Sequence, residues 1–278
     1  MLIGLFPILF ANTEIYKSKL KLFFYPIITI LLFLISALLT RIEDLICILI
    51  IGIPFLIAAG IIGILTGAFV RHRIQNKALY SILLLPLILN PIENILPNKT
   101  EVFNVSTAIL INSDKKNIFP NLLEVPKISE EEYSIGFFQK IGIPRPIESK
   151  TFKNSTGLYR IGVFTDNLKL YETVSEIQQD EFVNFKIDLS KSTLRDTPTD
   201  QHLLKNDYFN FKNIYYQLIP ITNNKTKVIL NCEYTINSKM NSYANFWAET
   251  IIKDFEERLL QAIKYKLEQN QPTQHQID

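Results

Sequence analysis

The sequence predicts an α+β protein in which N-terminal transmembrane helices precede a curved antiparallel sheet wrapped on one long C-terminal helix. Three observations carry this reading. Two uncharged apolar runs, Leu22 to Thr40 and Leu45 to Val70, stand near the start of the 278-residue chain. After Pro97 the apolar residues stop being continuous and begin to alternate, as in half-buried strands. The last stretch, Ser242 to about Gln269, repeats its apolar residues at three- and four-residue spacings, the period of a helix with one packed face.

The apolar runs are each about the twenty residues that carry a helix across a hydrocarbon core of roughly 30 Å. Only Arg41, Ile42, Glu43 and Asp44 separate them, so the two helices are expected to form an antiparallel hairpin. Lys17, Lys19 and Lys21 precede the first span, and Arg71, Arg73 and Lys77 follow the second; the positive-inside rule places both clusters in the cytoplasm. A third segment, 78–96, is broken by Pro86, Asn90, Pro91 and Glu93. If it crosses, as we read it, the C-terminal domain lies outside the cytoplasm; if it lies in the interface, the domain stays inside. Residues 1–16 form either a partial interfacial helix or an additional span, and the apolar start lacks the basic opening of a cleaved signal peptide. Ala59, Gly63 and Gly67 recur every four residues, a spacing that lets helices approach closely, either within the chain or in an oligomer.

The domain organisation is therefore a membrane part, 1–97, a folded domain, 98–270, and a disordered tail, 271–278. In the domain, Val102 to Ile111 reads as the first strand. Ser113 and Asp114 can cap a short helix towards Leu123, and the stretch through Pro126, Pro144 and Pro146 is expected to be irregular or a broken helix. Leu158 to Thr165 and Leu168 to Ile177 flank Asp166 and Asn167, a pair that tolerates the positive φ angles of a tight hairpin. Phe182 to Leu189, Tyr208 to Phe211, Ile214 to Ile221 and Lys227 to Ile236 complete the meander. In the final helix Tyr243, Phe246, Trp247, Ile251, Phe255, Leu259, Ile263 and Leu267 are expected on the packed face. A sheet of six or seven strands in so small a domain buries its inner face best by curling around that helix, leaving a cavity between them.

Composition removes several function classes. The formal charge is +2 and the domain's charges are nearly balanced, so no nucleic-acid footprint is present. The two cysteines, Cys47 and Cys232, fall in a span and a strand, which argues against a disulfide framework. The three histidines, His72, His202 and His275, are scattered, so no zinc or iron site is expected. Phosphate-binding lysine loops, dinucleotide glycine fingerprints and nucleophile elbows are missing from the sequence, and no cofactor is expected.

Several segments resemble a known superfamily: Gly142-Ile143-Pro144-Arg145-Pro146, Arg160-Ile161-Gly162-Val163-Phe164, Tyr171-Glu172-Thr173-Val174, and Asn241-Ser242-Tyr243-Ala244-Asn245-Phe246-Trp247 opening the last helix. Their order, over about Val102 to Lys266, is similar to that of the SRPBCC or START-like superfamily, the helix-grip fold that includes polyketide cyclases and lipid-transfer domains, in a membrane-tethered bacterial branch. The resemblance implies a hydrophobic cavity for a lipid-like or polycyclic ligand.

Within the hairpin, alternation puts Arg160, Gly162 and Phe164 on one face and Leu168, Leu170, Glu172 and Val174 on one face of the next strand. Glu172 is then either a cavity carboxylate with Arg160 as its partner or ligand clamp, or half of a structural cross-strand ion pair. Tyr215, Tyr216 and Tyr234 can orient a ligand carbonyl or serve as core residues with satisfied hydroxyls. Trp247 is a core residue or closes one end of the cavity. The candidate ligand-binding residues are thus Arg160, Glu172, Tyr215, Tyr234 and Trp247, with Gly142 to Pro146 and Ser192 to Leu204 as the rim and no assigned catalytic residue. The expected function is binding or transfer of a hydrophobic small molecule by an integral protein of a bacterial inner membrane, whose partners are that molecule and the bilayer. The alternatives are a cyclase- or dehydratase-like enzyme, and a structural membrane subunit with a filled interior.

Overall fold

The computed structural model describes residues 7–8, 11–73, 97–155, 157–206 and 208–269. The expected third span, 78–96, and the tail, 271–278, lie outside these residues, as does most of the opening decapeptide. The chain separates into two compact units, Met1–Pro97 and Asn98–Asp278.

In the first unit a single turn, α1 (Thr13–Tyr16), precedes α2 (Lys19–Leu39) and α3 (Leu45–Arg73). Both long helices have the length and composition to cross a membrane, and only 22% of each apolar window is buried inside the protein. That separates them from the core helix of a globular domain, which would be closed on most sides. The chain reverses after α2 through a left-handed Arg41, φ +56°, while Ile42 N–H donates to Ala37 O and Arg41 N–H to Leu38 O. These two hydrogen bonds satisfy two of the helix's last carbonyls and set the hairpin. Leu22, Pro26, Ile30 and Ala37 are the buried side of α2. A Cβ at Gly63 would sit 2.3 Å from the Leu22 carbonyl oxygen, and one at Gly67 2.3 Å from the Leu22 side chain. Gly63 and Gly67 therefore face α2 of the same chain, where they permit backbone approach.

The second unit is one seven-stranded, wholly antiparallel sheet in the order β1-β7-β6-β5-β4-β3-β2. The strands are β1 (Lys99–Ile111), β2 (Pro146–Asn154), β3 (Gly157–Phe164), β4 (Lys169–Gln178), β5 (Phe182–Thr193), β6 (Phe209–Thr222) and β7 (Lys225–Ser238). Two short helices, α4 (Lys115–Leu123) and α5 (Phe137–Lys140), link β1 to β2, and α6 (Asn241–Gln269) closes the chain over β1 and β7. This is the helix-grip arrangement implied by the resemblance. Asp114 caps α4 by accepting from the Lys116 amide at 3.0 Å. Asp166 and Asn167 take φ values of +57° and +63° at the β3–β4 turn, the left-handed pair their chemistry allows.

Three details differ from the sequence reading. The proline stretch does not stay irregular to its end: from Pro146 it becomes the edge strand β2, with the proline at its first residue, where a missing donor is tolerated. The segments expected as separate strands around Tyr208 and Ile214 are one strand, β6, with a bulge between Phe211 and Asn213. The packed stripe of α6 runs through Ala244, Ala248, Ile252, Phe255, Leu259 and Ile263, while Phe246 is 60% exposed.

Candidate functional site: the inner face of the grip domain

Side chains at alternate positions of the sheet point inward and meet α6. At its carboxyl half, Leu259, Leu260, Ala262 and Ile263 close against Val183, Phe185, Tyr216, Leu218, Val228 and Leu230. At its amino half, Ala244, Ala248 and Ile252 pack on Val105, Phe209, Cys232, Tyr234 and Ile236, yet these three helix residues, with Trp247, Ile251 and Phe255, remain only partly buried. Under the carboxyl half both sides of the interior are closed; under the amino half the sheet residues are buried and the helix residues only partly so. Between the two lies Glu256.

Glu256 is 2% exposed, and neither carboxylate oxygen has an ion-pair partner among the described residues. The hydroxyl of Thr107, on the inner face of β1, stands beside it as its polar neighbour. Burial pushes the Glu256 carboxyl up to about 8, the Thr107 hydroxyl pulling weakly the other way and Glu257 adding to the rise. Its charge is felt at Cys232, whose thiol burial raises strongly, and at Tyr216 and Tyr234. At neutral pH this carboxyl holds its proton and can both donate and accept. Sequence reading missed Glu256 because it placed only apolar residues on the packed face of the helix. The available sign was its spacing, four after Ile252 and three and four before Leu259 and Leu260.

Arg160 and Glu172 are directly opposed across β3 and β4. They are 6% and 5% exposed, and both the Nε and a terminal nitrogen of Arg160 lie 2.5 Å from Glu172 Oε2. Arg160 also donates to the Leu122 carbonyl at 2.7 Å and lies 3.7 Å over the Phe185 ring. With its partners so complete, the pair has the geometry of the cross-strand ion pair, tying α4 to the sheet, and it leaves little donor capacity for a ligand or a proton-transfer step. The register that places Glu172 indoors also places Tyr216 there. Its phenol is raised to about 12 by burial, with the Arg160 guanidinium beside it opposing the shift.

Tyr215, the neighbouring candidate, lies on the outward face of β6, its ring 5.4 Å from Phe182. Two adjacent tyrosines cannot both point inward on one strand. Tyr234 is fully buried, stacks between Phe103 and Phe209 with centroids 6.0 and 5.3 Å away, and donates to Asn245 Oδ1 at 2.8 Å. Trp247 is half-buried, and its indole N–H is enclosed without an acceptor. The structure thus gathers Arg160, Glu172 and Tyr234 on the inner face with Trp247 on the helix above, and leaves Tyr215 outside.

The two segments named as the rim do meet. Arg195 makes a bidentate pair with Asp200, at 2.7 and 3.1 Å, and donates to the carbonyl of Gly142 at 2.9 Å. Gly142 has φ +117°, a conformation open to glycine, which turns that carbonyl outward to the guanidinium. Arg145 and Thr165 exchange bonds through the Arg145 amide and carbonyl, at 3.0 and 2.9 Å. Among the described residues no group of three or more His, Cys, Asp and Glu converges to hold a metal.

No family model matches the chain, and no curated protein does. Solved structures with which it shares likeness include the Zhui aromatase/cyclase from a Streptomyces species, at 8% identity and a TM-score of 0.41, with 64% of this chain and 100% of that one covered. A START superfamily protein from Mycobacterium smegmatis gives 8% identity and a TM-score of 0.41 over 60% of this chain and 99% of that one. The ginseng major latex-like protein 151 from Panax ginseng gives 12% and 0.35 over 59% and 97%. Likeness of this size says nothing about a ligand or an activity here.

Proposed function

We propose that the protein is an integral membrane protein, of a bacterial inner membrane on the resemblance above, that binds a hydrophobic small molecule inside its C-terminal domain. The observation that carries this is Glu256: an enclosed carboxyl with the Thr107 hydroxyl beside it and no charged partner, at the border between two apolar clusters under the long helix. Leaving such a group unpaired costs about 1–3 kcal/mol or more, a cost that a ligand's polar head would offset. The apolar helices α2 and α3 support the anchoring, and the flanking lysines at Lys17, Lys19 and Lys21 support a cytoplasmic start. With 78–96 as a third span the domain would be non-cytoplasmic. Anchoring shortens the aqueous path of a lipid-like ligand and raises its effective concentration at the domain.

The test is to purify the full-length protein in a mild detergent, extract it with organic solvent and analyse the extract by mass spectrometry. A hydrophobic molecule in near-stoichiometric amount, reduced in the Glu256→Gln variant, is the expected result. An empty wild-type protein would defeat the proposal. It would favour the second reading, a structural subunit, which the fully closed cluster under the carboxyl half of α6 supports. Acid–base catalysis by Glu172 finds no support in a carboxylate already held by Arg160.

A further inference from the structure

The chain enters the grip domain at Lys99, the first residue of β1, directly after the segment 78–96. On both readings of that segment, crossing or interfacial, Lys99 follows the lipid by about three residues, at most about 11 Å of extended chain. Several elements meet Lys99 at this end of the sheet. Ser238, the last residue of β7, is its partner across the ladder, and Asn241 at the start of α6 donates from Nδ2 to the Lys99 carbonyl at 2.6 Å. The start of β6 is beside them, since Phe209 is opposite Ile236 and the Asn237 amide donates to the Tyr208 carbonyl at 2.9 Å. The helical turn Asp200–Leu204 arrives through Leu204, which packs on the cluster that holds Phe209 and Ile236. What these elements show to solvent is apolar: Leu203 is 44% exposed, Tyr208 53%, Met240 57% and Phe246 60%. Phe246 is five residues into α6, about 8 Å along its axis, and its ring meets that of Trp247 with centroids 5.6 Å apart. The charge around them is basic. Lys99, Lys205 and Lys239 are exposed, Glu101 is held by Lys99 at 2.7 Å and Asp200 by Arg195, and the first turn of α6 carries no acid.

We infer that this end of the grip domain docks on the surface of an anionic bilayer, with Leu203, Tyr208, Met240 and Phe246 among the lipid headgroups and the lysines on their phosphates. The inference rests on the reading of α2 and α3 as membrane spans and goes beyond it, since a tether alone leaves the domain free to turn any side to the lipid. Aromatic and long apolar side chains flanked by lysines are the composition of segments that lie in the interface, where the apolar groups leave water and the ammonium groups meet anionic lipid. Docking here brings the amino half of α6 to the lipid, the half whose inner residues Ala244, Ala248 and Ile252 are only partly buried. A hydrophobic ligand held beneath that half would then exchange with the bilayer without crossing bulk water.

The experiment reads Trp247, the chain's one tryptophan, in full-length protein reconstituted into vesicles of phosphatidylglycerol and phosphatidylcholine, the latter with or without bromine on its acyl chains near the headgroup. Insertion to the depth of about 5–10 Å usual for interfacial segments brings the indole to the brominated carbons, so its emission is expected to fall about twofold in the brominated vesicles. The double variant Met240→Asp with Phe246→Asp, both on exposed positions, should recover most of that emission while unfolding in detergent at the wild-type denaturant concentration. Replacing phosphatidylglycerol with phosphatidylcholine should weaken the wild-type quenching. Flotation of the vesicles after an alkaline wash reports separately whether the protein is integral. Protein that floats but is not quenched overturns the docking while the membrane spans stand, and leaves a protein partner or a second copy to cover this end. Quenching kept in full by the double variant shows that bromine reaches Trp247 by another route, and the docking falls. Protein that is washed off the vesicles defeats the reading of the spans and the docking together.

Discussion

Replacing Glu256 with glutamine should change not only how stable the domain is but how that stability depends on pH. In the native interior the carboxyl is raised to about 8 from its ordinary 4.5, so the folded protein binds this proton far more tightly than the unfolded chain does. Below pH 4.5 both states carry the proton and the linkage costs nothing. Between 4.5 and 8 the unfolded chain loses its proton while the folded state keeps it, so stability falls as pH rises; above 8 it levels off. At about 1.4 kcal/mol per pH unit, a window of about 3.5 units amounts to roughly 5 kcal/mol, of which roughly 3 has been lost by pH 7. Glutamine preserves shape and hydrogen-bonding capacity without a titratable proton, so the variant should gain on the wild type by several kcal/mol between pH 5 and 8. The assay is urea unfolding of both full-length proteins in the same detergent at several pH values. Trp247 is the chain's one tryptophan, so its emission reports the grip domain alone. Parallel stability profiles for the two proteins would show that the Glu256 carboxyl is not enclosed, and the functional proposal would lose its basis.

Arg160→Met should cost about 3–5 kcal/mol in the same unfolding assay, because Glu172 and the Leu122 carbonyl lose their donor in the interior, whereas the double change Arg160→Met with Glu172→Leu should recover most of it. A double variant as unstable as the single one would contradict the isolated-pair account. Gly63→Leu should force α3 away from the Leu22 carbonyl, with an overpacking cost of about 1–3 kcal/mol or more, seen as loss of helical signal at lower denaturant when the first unit is unfolded in detergent. Wild-type resistance in that variant would mean that the glycine face is not the α2 contact. Asp200→Asn should weaken the bidentate hold on Arg195 and free the segment around Asp200–Leu204, so limited proteolysis should cut there several-fold faster with little change in global unfolding. An unchanged cleavage rate would show that the pair does not tie the rim.

Much of the architecture was legible because it is written locally. Continuous apolar runs, period-two alternation and the Asp166-Asn167 turn each constrain a few adjacent backbone angles, and the structure follows them closely. The opposition of Arg160 and Glu172 was also readable, since a short turn leaves few registers for its strands. What failed was information carried by a distant neighbour. Whether Tyr215 or Tyr216 faces inward depends on how β6 pairs with β5 and β7, and the bulge before Asn213 resets the parity that unbroken alternation would set. Edge strand β2 was hidden by Pro144 before it and Pro146 at its start, the latter tolerated as the strand's first residue.

From its amino acids alone this protein is bound to an apolar hairpin followed by a curled sheet and a long amphipathic helix, since hydrophobic period and turn chemistry act over a few residues at a time. Which polar groups end up enclosed was settled in three dimensions. Glu256 sits at the margin of a helical stripe, where a rotation of one residue separates water from the interior, and only the packing of α6 on β1 and β7 chose the interior.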